Sequence, residues 1–121
     1  MARIIVIDDE ESIQVLLKKI LERAGHSIEV ASNGKIGLEI QQKNPADIII
    51  TDLFMPVKEG METIMELHRD FPGVKIVAMS GGDRKGNMDF LGMTEKLGAH
   101  RILKKPFTMN DVIEVVDSLL K

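Results

Sequence analysis

Apolar and polar positions divide this chain into alternating strand-like and helix-like segments. Arg3–Ile7 is a short apolar run cut at once by Asp8, Asp9, Glu10 and Glu11, the pattern of a buried strand running into an acidic helix start. Ile13, Leu16, Leu17, Ile20 and Leu21 then recur at helical spacing, and Gly25 stops them. Ser27–Ala31 predicts a second, weaker strand. Asn33 and Gly34 open a helix carrying Ile36, Leu38 and Ile40 that ends before Pro45. Residues 46–51 read as a strand in which Ile48, Ile49 and Ile50 run into Thr51 and Asp52, and Pro56, two residues past Phe54, stops the run. Such a run reads as a central strand covered on both faces.

Gly60–Asp70 predicts a Met-rich helix, with Met61 and Met65 at the spacing of core filler, broken by Pro72 and Gly73. Residues 75–79 are a fourth apolar run ending in Ser80. The glycine-rich stretch GGDRKGN reads as a long loop, and a helix over about 88–97 stops at Gly98. A short strand over 100–103 leads to Lys105, Pro106 and Phe107. Thr108 and Asp111 predict a capping box for a last helix whose stripe is Val112, Ile113, Val116, Leu119 and Leu120. Five strands alternating with five helices predict an α/β fold: a parallel sheet with helices on both faces and right-handed crossovers.

Composition narrows the function classes. At 121 residues, one domain spanning 1–121 is expected. A net charge of −3, no concentrated Lys/Arg block, no Trp or Tyr and four Phe argue against direct nucleic-acid binding. No apolar run is long enough to span a bilayer, and the opening residues lack a signal-peptide pattern, so no membrane association and a cytoplasmic location are expected. The chain has no cysteine, which removes disulfides and thiolate metal sites from the possibilities.

Polar residues stand where the apolar runs end: Asp8 and Asp9 after the first, Asp52 after the third, Ser80 after the fourth, Lys105 after the fifth. Open parallel sheets bind ligands outside the carboxyl ends of their strands, and a strand order of 2-1-3-4-5 would bring the three carboxylates together. Such a cluster repels itself, and Mg²⁺, a hard cation that prefers oxygen ligands, relieves the repulsion. Asp is a covalent acceptor in phosphoryl transfer, and Lys105 and the Ser80 hydroxyl can stabilise the transferred group.

The acidic pair Asp8-Asp9, the Asp52-x-x-Met55-Pro56 loop, Ser80 after an apolar strand, the Leu97-Gly98-Ala99 turn and Lys105-Pro106-Phe107 together resemble a response regulator receiver domain of bacterial two-component signalling. The resemblance covers essentially the whole chain. It implies a flavodoxin-like fold, a doubly wound five-stranded parallel sheet of order 2-1-3-4-5 with five helices. It implies a phosphoacceptor switch, not a turnover enzyme, with Asp52 phosphorylated by a sensor histidine kinase, a phosphotransfer protein or a small phosphodonor. Mg²⁺ would be held by Asp9, Asp52 and the backbone carbonyl of Phe54, with Asp8 acting mainly through water. Lys105 would pair with the phosphate, and Ser80 would hydrogen-bond it and move inward. The result would be altered binding of a downstream protein partner.

Some positions depart from that pattern or have a plainer reading. Three residues before the lysine the family commonly carries an aromatic, and here stands Ile102, which puts coupled ring rotation in doubt. The segment between Ser80 and Lys105 is longer than is typical, and Phe54 is bulky for a position that tends to influence phosphoryl lifetime. His26, His68 and His100 are too widely spaced for a metal site and read as surface or packing residues. GGDRKGN matches neither G-x-x-x-x-G-K-[ST] nor G-x-G-x-x-G, which argues against a nucleotide loop. Lys18, Lys19, Glu22 and Arg23 form a charged face, a kinase contact in the family or simply a solvated surface. Lys104 reads as exposed. Two other classes fit less well: a receiver-like interaction module working without phosphorylation, against which the set Asp8, Asp9, Asp52, Ser80 and Lys105 argues, and a flavin carrier of similar topology, which absorbance would reveal.

Overall fold

The computed structural model describes residues 2–53, 60–80, 96 and 98–120. Its five strands are β1 (Arg3–Ile7), β2 (Ser27–Ala31), β3 (Ile48–Asp52), β4 (Lys75–Ser80) and β5 (Arg101–Lys104). They form one parallel sheet in the order β2-β1-β3-β4-β5, as expected. Helices α1 (Glu11–Arg23), α2 (Gly34–Lys43) and α3 (Gly60–Asp70) and a C-terminal helix (Met109–Leu120) complete the described elements. The helix expected over 88–97 and the GGDRKGN stretch lie outside the described residues, Lys96 apart. Among the described residues no helix is long and apolar enough to cross a membrane.

Both faces of the sheet are buried, which is why the strands read as unbroken apolar runs. Ile4 and Val6 join Ile48, Ile50, Val77, Met79 and Leu103 in a core closed by Leu17, Leu21, Val112 and Val116 of α1 and the C-terminal helix. Ile5, Ile7, Ile49, Ile76 and Ala78 form a second core with Ile64 and Leu67 of α3. Burying one such isoleucine or leucine side chain is worth about 1.5–3 kcal/mol.

The ends of the elements follow local chemistry. Asn33 caps α2, its side-chain oxygen accepting from the Ile36 N–H at 2.9 Å. The capping box forms both ways: the Asp111 N–H donates to Thr108 Oγ1 at 3.1 Å and the Thr108 N–H to Asp111 Oδ2 at 2.8 Å. Gly25, just past α1, takes φ +96°, a conformation that glycine adopts without a Cβ penalty. β3 starts later than the strand expected from residue 46 because Asp47 is engaged otherwise: its carboxylate accepts the Arg3 N–H at 2.9 Å and its carbonyl the Lys75 N–H at 3.0 Å. β4 runs one residue further than predicted and β5 is shifted one residue on, and the Lys105 N–H continues that pairing to the Ser80 carbonyl at 2.7 Å.

Several packing expectations need correction. Met65 is 51% exposed and therefore not core filler, while Met61 is partly buried. Leu16, Ile36 and Leu120 also face solvent, because one sheet face covers only part of each helix's apolar stripe. His68 is exposed, but His26 and His100 have a defined backbone role. His26 Nδ1 accepts the Ala2 N–H at 3.0 Å, and His100 Nδ1 accepts the N–H of fully buried Ile76 at 3.1 Å.

An imidazole that accepts through Nδ1 must be unprotonated there. Burial holds the His100 pKa below its ordinary value, and Lys75, His68 and Arg101 push the same way. A folded-state pKa below the unfolded one, about 6.5, gives a contribution to stability that is full above that pH and lost as pH falls through the folded value. Urea melts between pH 7.5 and pH 5 should show this loss in the wild type. His100→Asn, which keeps an acceptor but does not titrate, should flatten it; an unchanged pH slope would assign the loss to other groups.

Candidate functional site

The carboxyl edge of the sheet gathers the polar residues that end the strands. Asp8 follows β1, where its N–H donates to the Ala31 carbonyl at 3.0 Å and so prolongs pairing with β2. Its side chain is fully buried. Oδ1 accepts the Glu10 N–H at 2.8 Å, Oδ2 accepts from Lys105 Nζ at 3.0 Å, and Gln14 Nε2 donates to the Asp8 carbonyl at 2.6 Å. Burial pushes the Asp8 carboxyl above the ordinary carboxylate value, against the hydrogen bonds from Glu10 and Lys105; the charge of Asp52 adds to the rise.

Asp52 ends β3 and is also buried. Its Oδ1 accepts the Leu53 N–H at 2.9 Å, which orients the carboxylate, and Oδ2 lies 3.6 Å from Lys105 Nζ. Asp9 is exposed, yet one oxygen from each of Asp8, Asp9 and Asp52 lies within 4.8 Å of the others. Two carboxylates at about that spacing repel by roughly 3 kcal/mol at an effective dielectric constant of 20. An all-carboxylate donor set this close fits a hard divalent cation such as Mg²⁺.

Lys105 spans the cluster. Its side chain is 16% exposed, and Nζ contacts Asp8, Asp52 and, at 3.4 Å, Glu10 Oε1. Burial alone would lower the Lys105 pKa, but the hydrogen bond with Asp8 and the charges of Asp52, Asp8 and Glu10 outweigh it and raise the value. Ser80 is buried at the end of β4, and its carbonyl holds the Lys105 backbone. The structure thus brings Asp8, Asp9, Asp52 and Lys105 together, with Ser80 on the same sheet edge. Phe54 lies outside the described residues. Ile102 is half-buried on β5, Lys104 is exposed as read, and Lys18, Lys19, Glu22 and Arg23 are exposed on α1.

Three residues were not singled out for the site from the sequence. Glu10 was legible only as an acidic helix start, and Gln14 carries no signal in its spacing. Gly60, the first residue of α3, has a steric role: an added Cβ would overlap the Asp52 carbonyl oxygen and approach the Leu53 Cα to 2.6 Å.

The carboxyl edge of this doubly wound sheet thus carries a buried aspartate pair bridged by a lysine. The family model of the response regulator receiver domain matches residues 4–117, and the chain belongs to that family. It is 32% identical over 119 residues to the alkaline phosphatase synthesis transcriptional regulatory protein PhoP of Bacillus subtilis, covering 98% of this chain and 48% of that protein. The chemotaxis protein CheY of Thermotoga maritima is 28% identical over 120 residues, with 98% of each chain covered. Among solved structures, a response regulator receiver domain protein from Clostridium thermocellum superposes with a TM-score of 0.90 at 32% identity, covering 99% of this chain and 94% of that one. The chain thus spans about half of PhoP and nearly all of that CheY.

Replacing an exposed helical glycine by alanine ordinarily stabilises a helix by about 1 kcal/mol. At Gly60 the sign should reverse. Gly60→Ala should cost about 1–3 kcal/mol in urea unfolding, because backbone at the end of β3 cannot yield cheaply. Gly73→Ala, whose Cβ would meet nothing within 4 Å, should be neutral or slightly stabilising. Equal effects at the two positions would remove the steric role of Gly60.

Proposed function

We propose that the chain is a single receiver domain over residues 1–121 that accepts a phosphoryl group on Asp52. The donor is a sensor histidine kinase, a phosphotransfer protein or a small phosphodonor, the reaction depends on Mg²⁺, and the modified state changes affinity for a downstream protein partner. The domain acts in the cytoplasm and turns over no substrate of its own. One observation carries the reading: the Lys105 ammonium lies 3.0 Å from Asp8 and 3.6 Å from Asp52, so a carboxylate nucleophile and a partly desolvated cation share one sheet edge. Membership of the receiver family supports it.

In the transfer an Asp52 oxygen attacks phosphorus. The new P–O bond forms as phosphorus separates from the donor's imidazole nitrogen or carboxylate oxygen, and the donor leaves with that electron pair. The Leu53 N–H holds the nucleophile's orientation, so little reorganisation is needed. Lys105 pairs with the arriving phosphoryl oxygens by exchanging a carboxylate partner, and the Ser80 hydroxyl donates to one of them. Asp8, Asp9 and Asp52 would hold Mg²⁺, which when bound would neutralise charge on the transferred group.

The switch is a population shift between two states, driven by contacts that the phosphoryl group makes only in one of them. Ile102 lacks an aromatic ring to rotate. The hydrogen bond between the Ser80 carbonyl and the Lys105 N–H instead couples the ends of β4 and β5, so a movement of Ser80 carries to the lysine strand.

Incubation with Mg²⁺ and acetyl phosphate should give a single phosphoryl adduct by intact mass, absent in Asp52→Asn. Labelling of Asp52→Asn as readily as wild type would sink the acceptor assignment. Lys105→Ala should still accept the group but lose most of the amide chemical-shift changes that modification produces along β4 and β5. A full response in that variant would show that the lysine does not transmit the signal.

A further inference from the structure

The Lys105 ammonium has a third carboxylate partner that the acceptor reading leaves without a role. Glu10 Oε1 lies 3.4 Å from Nζ on a side chain 60% exposed, whereas the other two partners, Asp8 and Asp52, are buried. Glu10 is therefore the most solvent-exposed of the three partners. Its backbone N–H, not its side chain, holds Asp8 Oδ1, so exchanging the side chain leaves the support of Asp8 in place. Neighbouring Glu11 is equally acidic and exposed but belongs to the first turn of α1, and Lys105 has no ion pair with it.

We propose that Glu10 is a positioning residue that tethers Lys105 in the unmodified protein and gives it up when a phosphoryl group arrives, setting the threshold for modification of Asp52. The inference rests on the acceptor reading above. Of the three carboxylates on the ammonium, Glu10 is released at least cost, because water reaches its freed charge while Asp8 and Asp52 would be left desolvated. Glu10 also places an exposed negative charge 3.4 Å from the ammonium that the arriving phosphoryl group has to pair with. An exposed ion pair is worth up to about 1 kcal/mol, so the effect on rate is a few-fold and sensitive to salt.

The test compares wild type, Glu10→Gln and Glu11→Gln with Mg²⁺ and acetyl phosphate at low and high ionic strength, reading initial rates of adduct formation by intact mass. Glu10→Gln should be faster by about two- to fivefold at low salt, with the gap closing as salt rises, while Glu11→Gln stays near wild type. In parallel, ¹⁵N relaxation of the Lys105 ammonium, recorded without donor or metal, should show a more mobile Nζ in Glu10→Gln alone. Equal rates for Glu10→Gln and wild type, or the same acceleration in Glu11→Gln, would overturn the tether and leave at most a general charge effect. If acetyl phosphate modifies none of the three proteins, the small-donor part of the acceptor reading falls, and an unchanged Nζ mobility would still overturn the tether independently.

Discussion

Negative charge withdrawn from water is the constraint on which this structure depends. Asp8 and Asp52 are buried side by side at the ends of β1 and β3, and each would be costly to hold there alone. Two devices make the arrangement tenable. Each carboxylate accepts a backbone N–H from the chain just beyond it, from Glu10 and from Leu53, and both share the ammonium of Lys105. Those contacts require β1 and β3 to be neighbours, and they require β5 to end at the same edge. The sheet order is therefore also the wiring of the charge cluster.

The strands were legible because burial on both faces leaves no polar alternation, and the site residues were legible because polar side chains end those runs abruptly. Asp8, Asp52, Ser80 and Lys105 all declare themselves in that way. The order of the strands was not contained in the periodicity; it came from the likeness to a family. Helical stripes were legible in position but not in depth: Leu16, Met65 and Leu120 have the right spacing, yet the sheet does not reach them. Least legible were partners of backbone groups. Nothing in the spacing of Gln14, Asp47, His26 or His100 announces the carbonyl or N–H that each one satisfies, since that depends on where a loop places its peptide planes. The room that Gly60 leaves for the Asp52 carbonyl belongs to the same kind.

The residues of the cluster lie between positions 8 and 105, within the segment that the receiver family model matches. Relatives that share this segment differ in length: one is about twice the span aligned here, another ends almost where this chain does. The groups described at the sheet edge all come from this segment.

The pairing of Lys105 with Asp8 joins residues 97 positions apart, nearly the full length of the chain. Closing so long a loop costs chain entropy that local contacts do not repay, so such a contact forms only as the intervening strands come together. The full set of contacts among Asp8, Asp52 and Lys105 is thus present only in the assembled sheet. A cation or anion that binds there selects the finished fold and stabilises it by mass action. Resistance to unfolding becomes a direct gauge of site occupancy.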